Sequence, residues 1–356
     1  MWQRFVLVQF LDARRVTKPT NSPPQPESYE YLSKAQQASE DVASQWDQDN
    51  QQWWNWYMTL ADNERDQNSF AIKPAPFSLQ SPIEIDESTL GQIQGALSVP
   101  YELSADAIEQ FARDGYIKLK NVIDPEHLTL LRYRINSILI DALGAEPGLA
   151  FRSEEMMWLH DELVRHFVLS KRIAQIASEL LGVQAVRLYH DNALSKEPGC
   201  GRTPWHYDYH HFPIDSQNVC TAWIPLQPIP REMGPLAFAA GIETYKLVKD
   251  LPFNKFDSSY DKQLSQIFAD KLIPVDDGSF ELGEISFHHT LSFHTAGANS
   301  TNESRMALAT TYFEDGARLV SSPTMISGEF HKFMPAIEPG DIIDSAYNPV
   351  CYSCAD

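Results

Sequence analysis

TPWHYDYHHFPIDSQNVCTAWIP, residues 203 to 225, is two short apolar stretches joined through Pro, Asp, Ser and Asn. Runs of this length, bounded by turn-forming residues, read as short strands. The same texture extends from Val183 to Phe313, where apolar residues come in short runs or in alternation and are interrupted by Pro and Gly. A rhythm of strand, long helix and strand is missing, which disfavours a parallel doubly wound sheet. The stretch therefore predicts a β-rich α+β fold, a jelly-roll barrel of the double-stranded β-helix, cupin-like kind. One interruption, YDKQLSQIFADKL at 260 to 272, predicts a helix in a strand connection. With the residues from about 245 it is expected to form a lid over the barrel mouth.

Upstream of the strands the texture is helical. Ser104 can cap a helix through Phe111 that ends at Asp114-Gly115. YIKLKNV, 116 to 122, alternates as a strand, and Pro125 opens a helix to about Leu143. A third helix is expected from Lys171 to Leu181, ending at Gly182. These flanking N-terminal helices and the barrel make up an expected domain at 101–356. Residues 1–100 read as an extension. TKPTNSPPQPES, 17 to 28, carries four prolines and predicts an extended linker. From Tyr31 to Ala61, Trp46, Trp53, Tyr57 and Leu60 recur at helical spacing, so an aromatic amphipathic helix is expected. It would pack within the chain or join two copies in a homodimer. Residues 68 to 100 read as a connecting arm.

Composition narrows the partners. With 28 Lys+Arg against 48 Asp+Glu the net charge is −20, a field that repels phosphate backbones and anionic lipid surfaces. A small molecule is the expected partner, and neither nucleic acid nor membrane. The opening MWQRFVLVQFLDARR has too short an apolar run for a secretory or membrane segment, so a cytoplasmic location is expected. Cys200, Cys220, Cys351 and Cys354 do not form a disulfide framework in a chain this long. The terminal Cys351-x-x-Cys354 has no second pair to complete a zinc site.

Chemistry concentrates at His206 and Asp208. On a strand, side chains two apart share a face, so an imidazole and a carboxylate can meet one ion. A third ligand from a distant strand would complete the facial set of non-haem iron(II) oxygenases. GEISFHHTLSFHTAGANSTNESR, 283 to 305, offers His288, His289 and His294, and His294 lies just before the turn at Ala296 to Asn299. Arg305 then opens a strand whose alternation puts Arg305, Ala307, Ala309 and Thr311 on one face. Its planar fork suits a carboxylate such as the far one of 2-oxoglutarate.

These stretches resemble the phytanoyl-CoA dioxygenase family of iron and 2-oxoglutarate oxygenases. The likeness runs from Leu103 to Phe313, through SADAIEQFARDGYIKLKNVIDPEHLTLLR, SKRIAQIASELLG, SKEPG, TPWHYD, TAWIPLQPI, MGPLAFAAGI and FHTAGANSTNESR, in the family's order. The resemblance implies iron(II), 2-oxoglutarate and dioxygen as cofactor and co-substrates. It implies His206, Asp208 and His294 as the metal triad and Arg305 as the co-substrate clamp, with Lys196 and Trp223 beside it. Ala296 stands where the family often has Ser, so one hydroxyl contact to the co-substrate is absent.

Other polar residues near these motifs carry weaker expectations. Arg202, His210 and His211 are candidates for substrate contact. His288 and His289 are expected to be structural, Trp205 to be packing, and Asn299 to tolerate left-handed backbone. His190 and Asp191 could line the pocket. The expected reaction is oxidation of an unactivated C–H bond of a small molecule, by hydroxylation, or by ring closure or desaturation in specialised metabolism. The alternatives are a catalytically inactive jelly-roll binding module and a cupin-like metalloenzyme that does not use 2-oxoglutarate.

Overall fold

The computed structural model describes residues 75, 77, 85–144, 150–251, 258–323 and 330–355. The proline-rich linker and the aromatic stretch Tyr31–Ala61 lie outside them. Described elements begin with α1 (Glu87–Ser98), α2 (Ala105–Asp114), β1 (Tyr116–Leu119) and α3 (Pro125–Leu143). β2 (Phe151–Glu155), α4 (Glu162–Val168), α5 (Lys171–Leu181), β3 (Ala185–Lys196), β4 (Thr203–His206) and β5 (Val219–Pro225) follow. The remainder is β6 (Leu236–Ala239), α6 (Ser259–Asp270), β7 (Val275–Asp276), β8 (Ile285–His289), β9 (His294–Ala296), β10 (Arg305–Glu314) and β11 (Val350–Ser353).

The strands form two antiparallel sheets. The larger has the order β1-β8-β5-β10-β3-β11, with β2 also on β3, and the smaller has β4-β9-β6-β7. This is the expected double-stranded β-helix. β10 explains why its sequence is apolar on both faces. Met306, Leu308 and Tyr312 join the core beneath the helices, while Ala307 and Ala309 join Trp223 and Phe238 in a second cluster inside the barrel. A register shift between Thr311 and Tyr312 leaves Tyr189 unpaired on β3, and Tyr189 and His190 lie ring to ring.

Helix ends follow their local chemistry. Ser104 accepts from Ala107 N at 3.2 Å, and Gly115 closes α2 at φ 80°. Pro125 opens α3, and Gly182 closes α5 in the left-handed region. α6 forms in the stretch expected to be helical.

Three elements differ from expectation. The arm expected over 68 to 100 carries α1, whose Ile93 and Leu97 are buried in the same core as α2 to α5. Gly91 and Gly95 weaken its helical pattern, and the Asp86 cap with burial at i,i+4 spacing overrides them. β2 reads FRSEE and has no strand signal, yet it pairs Phe151–Glu155 with Lys196–Asn192 along the edge of β3. α4 was likewise not legible. Among the described residues no helix is long and apolar enough to cross a membrane.

Candidate active site

The first two histidines are register partners. β4 pairs with β9 so that His206 faces His294, with ring centroids 4.1 Å apart. β4 ends at His206, and Asp208 begins a single 3-10 turn through His210, so the expected one-strand placement of both residues is corrected. The turn still returns the carboxylate toward the rings. One ligand atom from each of His206, Asp208 and His294 lies within 4.8 Å of the others. Asp208 Oδ1 is 3.9 Å from His206 Nε2 and 3.7 Å from His294 Nε2.

Backbone contacts fix the tautomers. His206 Nδ1 is 2.9 Å from the Pro204 carbonyl, and His294 Nδ1 is 3.1 Å from the Ser292 carbonyl. A carbonyl only accepts, so each Nδ1 carries the proton and each Nε2 presents its lone pair beside Asp208. Burial lowers the pKa of both rings, and for His294 the neighbouring His206 adds to the effect. Burial alone would raise the Asp208 carboxyl, but His294, then His288 and His206, hold it far below the usual carboxylate range. Two neutral imidazoles and one carboxylate are the deprotonated donor set that a divalent cation requires.

The inner face of β10 leads away from this cluster. Thr311 Oγ1 lies 3.0 Å from Thr221 Oγ1, which reaches Asp208 Oδ2 at 3.4 Å. Ala309 and Ala307 follow with little bulk, and Arg305 ends the row. Arg305 is 2% exposed, and no carboxylate pairs with it among the described residues. Burial pulls its pKa down to about 10. Its guanidinium stacks 5.3 Å from Trp223, and both Arg305 Nε and Trp223 Nε1 are buried without a hydrogen-bond partner among the described residues. Buried donors are normally satisfied, so this pair fits a pocket that takes an anionic acceptor.

The remaining candidates divide. Lys196 is the register partner of Arg305, but its ammonium donates to the carbonyls of Gly201 and Gly297 and to Thr203 Oγ1. It clamps two loops at the pocket's end. Arg202 pairs with Asp261 of α6 and donates to Thr295 Oγ1, so it joins β4 to the inserted helix. Asp261 also accepts the Trp205 N–H at 2.7 Å, and Trp205 packs edge-on against Phe268. His211 is half-buried beside the ligand turn, and the side chain of His210 lies outside the described residues. His289 accepts from Leu291 N and is structural. Asn299 ties Lys196 O, Glu303 O and Thr301 together through its buried amide, which gives it more than the backbone role expected. Asp191 points away from the row, capping the 157–159 turn through Met157 N. Thr221 and Asp261 were missed. Alternation of Thr221 with Trp223 could have flagged the first, and nothing in the sequence marks the second.

The phytanoyl-CoA dioxygenase (PhyH) family model matches residues 111–307. A "probable phytanoyl-CoA dioxygenase" of Caenorhabditis elegans is 24% identical over 240 residues, covering 60% of this chain and 76% of the relative. The α-ketoglutarate-dependent carbocyclase SnoK from nogalamycin biosynthesis superposes with a TM-score of 0.57 at 24% identity, covering 71% of this chain and 99% of SnoK. EctD from S. alaskensis, solved with 2-oxoglutarate and 5-hydroxyectoine, superposes at 0.55 with 16% identity, covering 70% and 92%.

Proposed function

This chain belongs to the phytanoyl-CoA dioxygenase family and is an iron(II)- and 2-oxoglutarate-dependent dioxygenase; we propose that it oxidises an unactivated C–H bond of a small molecule, by hydroxylation as the default. In this reading His206, Asp208 and His294 hold the iron and Arg305 takes the far carboxylate of 2-oxoglutarate. The observation that carries it is the convergence of three ligand atoms within 4.8 Å, with both imidazole tautomers fixed.

Iron with 2-oxoglutarate and dioxygen supplies the oxidising power, and succinate and carbon dioxide are released. The chain supplies placement. Carbonyls of Pro204 and Ser292 hold the two Nε2 lone pairs on one point. Ala307 and Ala309 place only methyl groups along the row between the triad and Arg305, and the Trp223 ring lies against the guanidinium. Tyr116 stacks on Phe238 at 4.5 Å, and this apolar wall excludes water from the triad's flank. α6, latched by the Arg202–Asp261 pair, packs on β4 and serves as the lid, the expected lid stretch at 252–257 lying outside the described residues. That pairing assigns Arg202 to the lid, while His211 is retained as a substrate contact.

In this reading the substrate is a small molecule of specialised metabolism. Ring closure and desaturation use the same residues and differ in how the substrate is held, and a shared fold does not choose among them. Anaerobic addition of iron(II) and then 2-oxoglutarate should produce a weak visible charge-transfer band, and aerobic turnover should release succinate. Iron binding without either signal would favour the cupin-like alternative, and no iron binding would favour the inactive binding module.

A further inference from the structure

The two oxygens of Asp208 face different partners. Oδ1 faces His206 and His294, whereas Oδ2 lies 3.3 Å from His288 Nε2 and 3.4 Å from Thr221 Oγ1. His288 and Thr221 are themselves register partners on β8 and β5, so two neighbouring strands converge on one oxygen atom. His288 is 2% exposed, lies 4.5 Å from the His294 ring and 5.6 Å from Phe238, and stands outside the group of three ligand atoms.

The backbone separates this histidine from the two ligands beside it. His206 and His294 each meet a carbonyl at Nδ1, which leaves Nε2 unprotonated. His288 Nδ1 meets no partner among the described residues, so nothing draws the proton there, and the acceptor beside Nε2 is a carboxylate. An Nε2–H facing a carboxylate donates a charge-assisted hydrogen bond and has no lone pair left for a metal.

We infer that His288, assisted by Thr221, is a positioning residue that holds Asp208 Oδ2 so that Oδ1 alone is presented to the metal. A carboxylate free to turn would offer both oxygens and fill a coordination position that the co-substrate needs. The Thr221–Thr311 hydroxyl pair completes the support from β10. The inference rests on the proposed triad.

The test compares His288→Leu, which removes the donor, with His288→Gln, whose amide N–H reaches a similar position. Iron(II) affinity is measured by competition with a chelating dye, the 2-oxoglutarate complex by its anaerobic charge-transfer band, and the metal-free fold by thermal melting. His288→Leu should weaken iron(II) about 10- to 100-fold and displace the band, and His288→Gln should restore both to within a few-fold of wild type. The two variants should melt alike without metal. Thr221→Val, isosteric and without the hydroxyl, should move affinity in the same direction and serves if His288→Leu does not fold. Wild-type affinity and band in His288→Leu, or in Thr221→Val where that variant stands in, would overturn the role. So would a glutamine variant as impaired as the leucine, or loss of iron as complete as in His206→Ala. His206→Ala run alongside separates the two ideas: if it keeps its iron the triad itself is wrong, and if it loses iron while His288→Leu is normal only the positioning role fails.

Discussion

Replacing Arg305 by leucine should have opposite effects on function and on the stability of the ligand-free fold. The side chain is 2% exposed, no carboxylate pairs with it among the described residues, and its pKa is about 10 against the usual 12.5. A difference of that size corresponds to a burial penalty on the order of 3 kcal/mol. Stacking on Trp223 returns roughly 0.5 to 2 kcal/mol. Arg305→Leu removes both, so the ligand-free protein should melt at the wild-type temperature or slightly above it. Loss of a charge-assisted pair in the loaded site costs about 2 to 5 kcal/mol, so the apparent KM for 2-oxoglutarate should rise by at least about tenfold. Iron(II) affinity should stay close to wild type, because the guanidinium lies at the far end of the Ala307–Ala309 row. The measurements are scanning fluorimetry with and without 2-oxoglutarate, and succinate release at varied 2-oxoglutarate. A variant that melts several degrees lower and keeps its KM would show that Arg305 is a structural cation.

Four further outcomes are expected. His206→Ala, Asp208→Ala and His294→Ala should each lose iron, measured as bound metal per chain, while His289→Ala keeps it; equal loss in His289→Ala would move the distal ligand. Burial raises the Asp191 carboxyl to about 7, so the folded state holds a proton that the unfolded chain loses near 4. That contribution is present at low pH and is lost as pH rises from about 4 to 7, with a slope of up to about 1.4 kcal/mol per pH unit, and Asp191→Asn should flatten the denaturation profile across this window. Hydrogen exchange in α6 should slow when substrate and 2-oxoglutarate bind, and equal protection without them would make the insert a fixed element. Mass spectrometry of products formed in excess chloride should show no chlorination, since Asp208 fills the position a chloride would need; a chlorinated product would remove Asp208 from the ligand set.

Much of this was legible because short-range chemistry decides it. Ser104, Gly115, Pro125 and Gly182 bound their helices through caps and backbone angles that act within a turn, so α2, α3 and α5 read correctly from the sequence. Alternation in β10 identified the row from Arg305 to Thr311 before any partner strand was known, since period 2 is a property of one strand. His206 and Asp208 were legible as an imidazole and a carboxylate two residues apart, and His294 was singled out from His288 and His289 only by the family resemblance. The elements that were missed lacked such signals: β2 is a polar FRSEE stretch that becomes a strand only because the edge of β3 offers it hydrogen bonds.

Tertiary structure decided what each group does. Three histidines stand within TPWHYDYHHF, and His190, His288, His289 and His294 also invite a role, and sequence cannot rank them by reach. Carbonyls of Pro204 and Ser292 set two of them as lone-pair donors, whereas the absence of a partner at Nδ1 and the nearness of Asp208 Oδ2 set His288 apart. In sequence Arg305 reads as the anion clamp and Lys196 as a second cation beside the co-substrate. Only the fold supplies carbonyls to Lys196 and leaves Arg305 without a counter-charge among the described residues. The physical reason is that a titratable side chain takes its role from the groups packed around it, and those arrive from strands far apart in the chain.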